Sequence, residues 1–192
     1  MTQTKITAKR QTGALWPPAG VRLWLRSYAT PLGLMQAGAD REALYFLHFA
    51  DTDAPYAAAM RRAAACLAAA GEGDNAVLAQ LAAALAAYFA GRAAGFAVPL
   101  HIAGHKPFYQ AAWAALRAIP PGQTGSYSRQ AALMGLPGRF ARACGSANAR
   151  NPFPLILPCH RVIAANGRLS GYNGGLWRKQ WLLAHEKRCF AA

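Results

Sequence analysis

The chain has 192 residues, 54% of them hydrophobic and 15% charged, which suits one packed domain of ordinary size, or a small one joined to a larger. That balance excludes general disorder, and no apolar run approaches the ~20 residues of a membrane span. A formal charge of +14 and a pI near 10.4 favour a polyanionic partner, nucleic acid before a membrane surface.

Residues 1–20 contain no uninterrupted apolar run, so they read as a mobile basic arm and not as a signal peptide. The stretch "VRLWLRSYATPLGLMQAGADREALYFLHFA" sets β-branched and aromatic residues between the turn signals "TPLG" and "GAD", which predicts three strands in a meander. Residues 54–94 are alanine-dense, with Leu67, Leu78, Leu81, Leu85, Tyr88 and Phe89 on helical stripes. The break at "GEGD" divides them into two helices, with Asp74 as N-cap of the second.

"GFAVPLHIAGH" is an extended connection between two halves. "KPFYQAAWAALRAIPPGQ" follows as a helix with Phe108, Ala112, Ala115, Leu116 and Ile119 on one face, ended by Pro120 and Pro121. "SYSRQAALMGLPGRFARACGSANAR" reads as helix, tight turn, helix, the spacing of a helix-turn-helix and equally of any αα-hairpin. Its second helix exposes small residues: Ala141, Ala143, Gly145, Ser146, Ala147 and Ala149. Such a face lacks the long polar side chains that read a major groove, but allows close approach to a minor groove or to a neighbouring helix. The prolines of "NPFPLILPCH" rule out a helix there. "GGLWRKQWLLAHEKR" closes the pattern as an amphipathic helix with Trp177, Trp181 and Ala184 on one stripe.

Charge is unevenly spread. Asp40, Glu42, Asp51, Asp53, Glu72 and Asp74 lie in the first half, and from residue 75 onward the only carboxylate side chain is Glu186. Cys66, Cys144, Cys159 and Cys189 have no CxxC pairing, which argues against a disulfide framework or a zinc ribbon and for reduced thiols in the cytoplasm. A zinc site of Cys159, His160, His185 and Cys189 would match no familiar ligand spacing.

Cys159 stands between a proline and His160. A thiol becomes a useful nucleophile when a base takes its proton. Neighbouring residues rarely face each other, so His160 would act through a bridging water, with an acid orienting its far side. Glu186 is the acid available. The bland alternatives are a Cys159 buried as a small hydrophobe and a surface Glu186 paired with Lys187 or an arginine.

"IPPGQTGSY", "RACGSANARNP", "LPCHRVI" and "GRLSGYNGGLWRKQWLLAHE", in that order, resemble the O6-alkylguanine-DNA alkyltransferases over residues 105–187. The resemblance implies an α/β (α+β) fold: a ribonuclease-H-like sheet with helices over residues 21–97, then a mainly helical DNA-binding alkyltransferase domain over 105–192. It implies a suicide repair protein, cytoplasmic and monomeric, that needs no cofactor or metal. Such a protein binds duplex DNA containing O6-alkylguanine in the minor groove, flips the nucleotide out and takes the alkyl group onto Cys159. His160, oriented by Glu186, would deprotonate Cys159. Asn151 would hold the turn leading to the reactive loop, and Tyr127 would donate to the departing guanine.

By the same resemblance Val162, Tyr172 and Asn173 would bind the base. Arg142, Arg139, Tyr127, Ser128, Ala141 and Gly145 would meet DNA, with Arg142 filling the gap left by the extruded base. "LPGRFARACG" is one residue longer than the family pattern, which makes Arg139 a competitor for that place, and "HKPFYQ" also departs from the pattern. Cysteine at position 159, where damage sensors of this kind carry tryptophan, favours transfer over binding alone. A non-transferring binder of damaged DNA is the alternative within the same fold. A Cys–His hydrolase is the alternative outside it, opposed by the cationic second half.

Overall fold

The computed structural model describes residues 21, 23–52 and 75–191. The basic arm over 1–20 and the first helix expected in 54–94, with Leu67 and Cys66, lie outside the described residues.

The meander forms as the turn signals require. Strands β1 (Trp24–Thr30), β2 (Gly33–Ala39) and β3 (Leu44–Phe49) pair antiparallel in the order β1-β2-β3. The β1–β2 turn places Gly33 at φ 99°, a region that favours glycine, and Thr30 Oγ1 donates to the Gly33 carbonyl at 2.6 Å. Asp40 Oδ1 closes the second turn by accepting the backbone N–H groups of Glu42 and Ala43, both at 2.8 Å. Every residue of β3 is buried. Its Leu47 N–H donates to the Pro152 carbonyl at 2.8 Å, so the sheet is fastened directly to the proline-rich segment ahead of Cys159.

Helix α1 (Ala76–Phe89) starts at Asn75, whose side chain accepts from the Leu78 N–H and donates to the Asp40 carbonyl. The cap is therefore Asn75 and not Asp74. Both residue types cap well, but only the amide can also donate to Asp40. Val77, Leu78, Leu81, Leu85 and Tyr88 form its buried face. Residues 95–100 are extended, and Leu100 bridges Leu44 in parallel fashion.

Helix α2 (Pro107–Leu116) opens on a proline at its first turn and buries Ala112, Trp113, Ala115 and Leu116. The run expected to continue to Ile119 instead closes in tighter i→i−3 turns from Arg117 to Ile119 before the two prolines. Strand β4 (Gly125–Ser126) leads into α3 (Tyr127–Leu133), capped by Ser126. A short 3₁₀ turn (Gly138–Phe140) then leads into α4 (Ala141–Asn148). The two helices are locked by reciprocal amide bonds between Gln130 and Asn148, while Gln130 also donates to the Ala112 carbonyl. Ala147, expected on the exposed face of α4, is fully buried, with its carbonyl accepting from the Trp113 indole.

Strand β5 (Val162–Ile163) pairs parallel to β4, and α5 (Leu176–Phe190) ends the described fold. Helix α5 is turned the other way from the expectation. Its buried face is Arg178, Lys179, Leu182, His185 and Glu186, whereas Trp177 is 55% exposed and Ala184 faces solvent. The stripe has the correct helical period, but polar side chains with internal partners occupy the inside. Leu44, Leu81, Leu116, Phe153, Val162 and Leu182 belong to one buried cluster, so sheet and helices share a core.

Candidate active site

The segment from Asn151 to Cys159 cannot be helical, and its shape comes from one side chain. Asn151 Oδ1 accepts the Phe153 N–H at 2.9 Å, while Nδ2 donates to the Leu157 carbonyl at 2.7 Å and to Cys159 Sγ at 3.2 Å. Leu155 takes φ 72°, a left-handed conformation costly for a branched residue. Pro158, at φ −79° and ψ 63°, forms a three-residue inverse γ-turn closed by the Cys159 N–H on the Leu157 carbonyl at 2.8 Å. Asn151 thus bonds to both ends of the turn and also reaches the sulfur itself.

Cys159 opens a 3₁₀ turn (Cys159–Arg161) and lines a small solvent-open cleft. The cleft is apolar, with Phe46 and Phe49 of β3 on one side and Pro154, Tyr172 and Gly174 on another. At Gly174 a Cβ would come within 2.7 Å of Phe49 and 2.8 Å of Tyr172, so only glycine fits that lip. Burial pushes the Cys159 thiol pKa up, against the opposing hydrogen bond from Asn151 and the charge of Lys179. A base is therefore needed to ionise it.

His160 is fully buried, and its Nε2 lies 2.9 Å from Glu186 Oε1. Glu186 is also fully buried, which removes the surface alternative, and accepts five hydrogen bonds. Oε1 receives Tyr88 Oη, His160 Nε2 and Arg161 Nη2, each at 2.9 Å. Oε2 receives Arg161 Nε at 2.9 Å and the Gly122 N–H at 3.3 Å. Burial alone would raise the carboxyl, but the bonds and charges of His160 and Arg161 outweigh it and hold Glu186 well below the usual carboxylate range.

An ionised carboxylate can only accept, so His160 carries its proton on Nε2. Its Nδ1 is buried with no hydrogen-bond partner in the protein. Burial lowers the His160 pKa despite the opposing bond from Glu186, so the imidazole is neutral and Nδ1 is a proton acceptor.

The other expected residues have contacts of their own. The Val162 carbonyl accepts Lys179 Nζ at 2.6 Å, and the same ammonium holds the Ser170 carbonyl at 2.7 Å. Tyr172 Oη is buried without a partner beside the cleft. The Asn173 carbonyl accepts Thr52 Oγ1 at 2.9 Å, and its side chain donates to the Ala149 carbonyl at 2.5 Å. Tyr127 Oη lies 3.3 Å from Ser170 Oγ, and its ring faces Gly145. Ser128 and Ser126 share a hydroxyl contact at 2.9 Å. Arg139 and Arg142 are both exposed, Arg139 with its guanidinium 5.5 Å from the Phe140 ring centre, and Ala141 is half-buried.

The sequence marks Tyr88 only as a stripe residue of its helix and gives Arg161 and Lys179 no role. Arg161 follows His160 directly and was open to discovery as the cation Glu186 needs, whereas nothing local ties Tyr88 to Glu186. His185 donates to the Tyr88 carbonyl at 2.9 Å, and His160 turns to Glu186. Among the described residues no three His, Cys, Asp or Glu side chains are grouped to hold a metal.

Comparison with known proteins identifies the family. Residues 24–102 match the family model for the ribonuclease-like domain of 6-O-methylguanine DNA methyltransferase, and residues 107–188 match the model for its DNA-binding domain. A methylated-DNA–protein-cysteine methyltransferase of Mycobacterium leprae is 50% identical over 114 residues, covering 59% of this chain and 68% of the relative. The chain belongs to the O6-alkylguanine-DNA alkyltransferase family.

Further alkyltransferases agree. The protein of the same name from Salmonella typhimurium is 52% identical over 102 residues, 53% of this chain, and the aligned part spans 59% of that relative's length. The crystal structure of Mycobacterium tuberculosis O6-methylguanine methyltransferase superimposes with a TM-score of 0.73 at 36% identity, covering 88% of this chain and 96% of that one. The same organism's OGT in complex with DNA gives 0.72 at 35% identity, covering 88% and 95%.

Proposed function

We propose that this alkyltransferase-family chain repairs DNA by direct reversal, moving an alkyl group from guanine O6 in duplex DNA irreversibly onto Cys159. The observation that carries the reading is His160, next to Cys159 in the chain, with its Nε2 2.9 Å from the buried Glu186 carboxylate and its buried Nδ1 without a hydrogen-bond partner in the protein. His160 Nδ1 takes the Cys159 proton through a water, since the two side chains are not directly bonded. The thiolate attacks the alkyl carbon, a sulfur–carbon bond forms and the carbon–O6 bond breaks. The guanine leaves with the electron pair and needs a proton donor, a role for Tyr127. The product thioether has no neighbour able to hydrolyse it, so each molecule acts once.

The reacting carbon is sheltered within a base stack, so the nucleotide must be rotated into the cleft. In this reading the half over 105–192 binds the minor groove of the alkylated duplex through α4, with Tyr127, Ser128, Ala141 and Gly145 against the backbone and Arg142 in the gap. Val162, Tyr172 and Asn173 hold the flipped base. The half over 21–97 supports the cleft from β3, and the protein works as a cytoplasmic monomer.

The deciding test is intact-mass analysis after incubation with a duplex containing O6-methylguanine. We expect one added methyl per protein, located on Cys159, and none in Cys159→Ser. Turnover beyond one equivalent overturns the suicide mechanism. Binding without any mass change leaves only a damage-binding protein.

A further inference from the structure

Glu186 is held by more than the proposed relay requires. Tyr88, at the end of α1, is fully buried against Phe89, Phe96, His185 and Phe190. Its hydroxyl donates to Glu186 Oε1, the oxygen that also receives His160 Nε2. Its carbonyl accepts from His185, so the hydroxyl and the carbonyl of one residue in the first half bond adjacent residues of α5. Burial and the facing Glu186 charge push the phenol far above its ordinary pKa, so it remains a donor throughout the physiological range.

We propose that Tyr88 is a positioning residue that sets the basicity of His160, by sharing the carboxylate oxygen on which the imidazole depends. This rests on the alkyl-transfer reading above. Donors on one oxygen compete for the same negative charge. A hydroxyl already bonded there weakens the carboxylate's pull on the His160 N–H and so disfavours the imidazolium. The result is a histidine that stays neutral and ready to accept a proton.

The other charged and titratable groups around the pair are Arg161 on both Glu186 oxygens, Lys179 on the Val162 and Ser170 carbonyls, Cys159 itself, and Tyr172, whose ring meets His160 edge-on at 6.5 Å. His185 sits against the Tyr88 ring, its Nε2 bonded to the Tyr88 carbonyl. Changing Arg161 or Lys179 would alter a buried charge, whereas Tyr88→Phe removes one neutral donor and keeps the ring.

The test is the pH titration of His160, read from its ring ¹⁵N shifts, together with the pH profile of alkyl transfer from free O6-benzylguanine, which needs no duplex. In Tyr88→Phe we expect both the His160 midpoint and the acid limb of the rate to rise by roughly 0.5 unit, a loss of roughly 3-fold on that limb. Replacing Tyr88 by 3,5-difluorotyrosine strengthens the donor without disturbing the packing, and both should move the other way. Midpoints unmoved in both variants, with only thermal stability lost in Tyr88→Phe, would overturn the proposal and leave Tyr88 as packing. A parent protein that transfers no alkyl group overturns the proposed function instead, and the His160 titration still decides the part played by Tyr88.

Discussion

Arg178 grips both carboxylate oxygens of Asp51, at 2.9 and 2.7 Å, across 127 residues of sequence. The same guanidinium donates to the Leu32 carbonyl in the β1–β2 turn and to the Gly174 carbonyl at the cleft lip, both buried bonds, and its Cζ lies 4.3 Å from the Phe49 ring centre and 4.4 Å from that of Trp177. Arg178→Met should cost about 2–4 kcal/mol, because two buried carbonyls lose their donor along with the stacked cation. Asp51→Asn should cost under about 1 kcal/mol, since the Asp51 side chain is 64% exposed. Urea unfolding of the two variants measures the difference. Equal losses would mean that the ion pair, and not the bonds to the carbonyls, holds the lip.

Glu186→Gln should slow alkyl transfer by about 10²–10⁴-fold, the usual size of an acid–base contribution. It also leaves the Arg161 guanidinium buried without its counter-charge, a loss of about 3–5 kcal/mol in stability. Adding Arg161→Met should recover part of the stability and none of the rate. Recovery of both in the double variant would show that Glu186 serves the fold alone.

Acid should destabilise the protein in two stages. His160 has a lowered folded pKa, so below about pH 6.5 the unfolded chain takes up a proton that the folded protein refuses, and stability falls. Glu186 has a depressed folded pKa, so its contribution is complete above about pH 4.3 and is lost as the pH drops further toward its folded value. Both act in the same direction. Calorimetric melting from pH 8 to pH 3 should show the midpoint falling below about pH 6.5 and more steeply below about pH 4.3. A flat profile down to pH 5 would mean that His160 is charged in the fold.

DNA affinity should depend strongly on salt and weakly on sequence. With roughly 4–6 phosphates engaged, log K against log[salt] should slope at about −4 to −5. A slope near zero would make the +14 charge a matter of solubility only.

Arg139 and Arg142 are set apart by the 3₁₀ turn (Gly138–Phe140), Arg139 within it and Arg142 in the first turn of α4. We expect Arg142→Ala to slow repair of duplex DNA while leaving reaction with free O6-benzylguanine almost unchanged, because only the duplex requires extrusion. Arg139→Ala should mainly weaken binding and flatten its salt dependence. The opposite assignment of the two phenotypes would make Arg139 the residue that fills the gap.

Features written in short stretches of sequence were legible. The meander, the hairpin of α3 and α4, the non-helical run before Cys159 and the His160–Glu186 pair all rest on local spacing or on residue types that stand out. What escaped depends on distance. Tyr88 reaches Glu186 across 98 residues, and the indole of Trp113 buries the face of Ala147, so neither left a local signal. Helix α5 misled for a different reason. A hydrophobic stripe marks the inside only when the core is apolar, and here Arg178, Lys179, His185 and Glu186 find their partners within.

The donors on Glu186 lie 25, 26, 64 and 98 residues from it along the chain. Contacts that close loops of this length form late in folding, after the local helices and hairpins. A half-folded chain therefore carries the same cysteine and histidine, yet with ordinary acidities and no relay between them. On the proposed relay, reactivity at Cys159 becomes a certificate of completed assembly: a reagent that requires the relay counts finished molecules, whereas a general thiol reagent in denaturant counts all four cysteines of every chain.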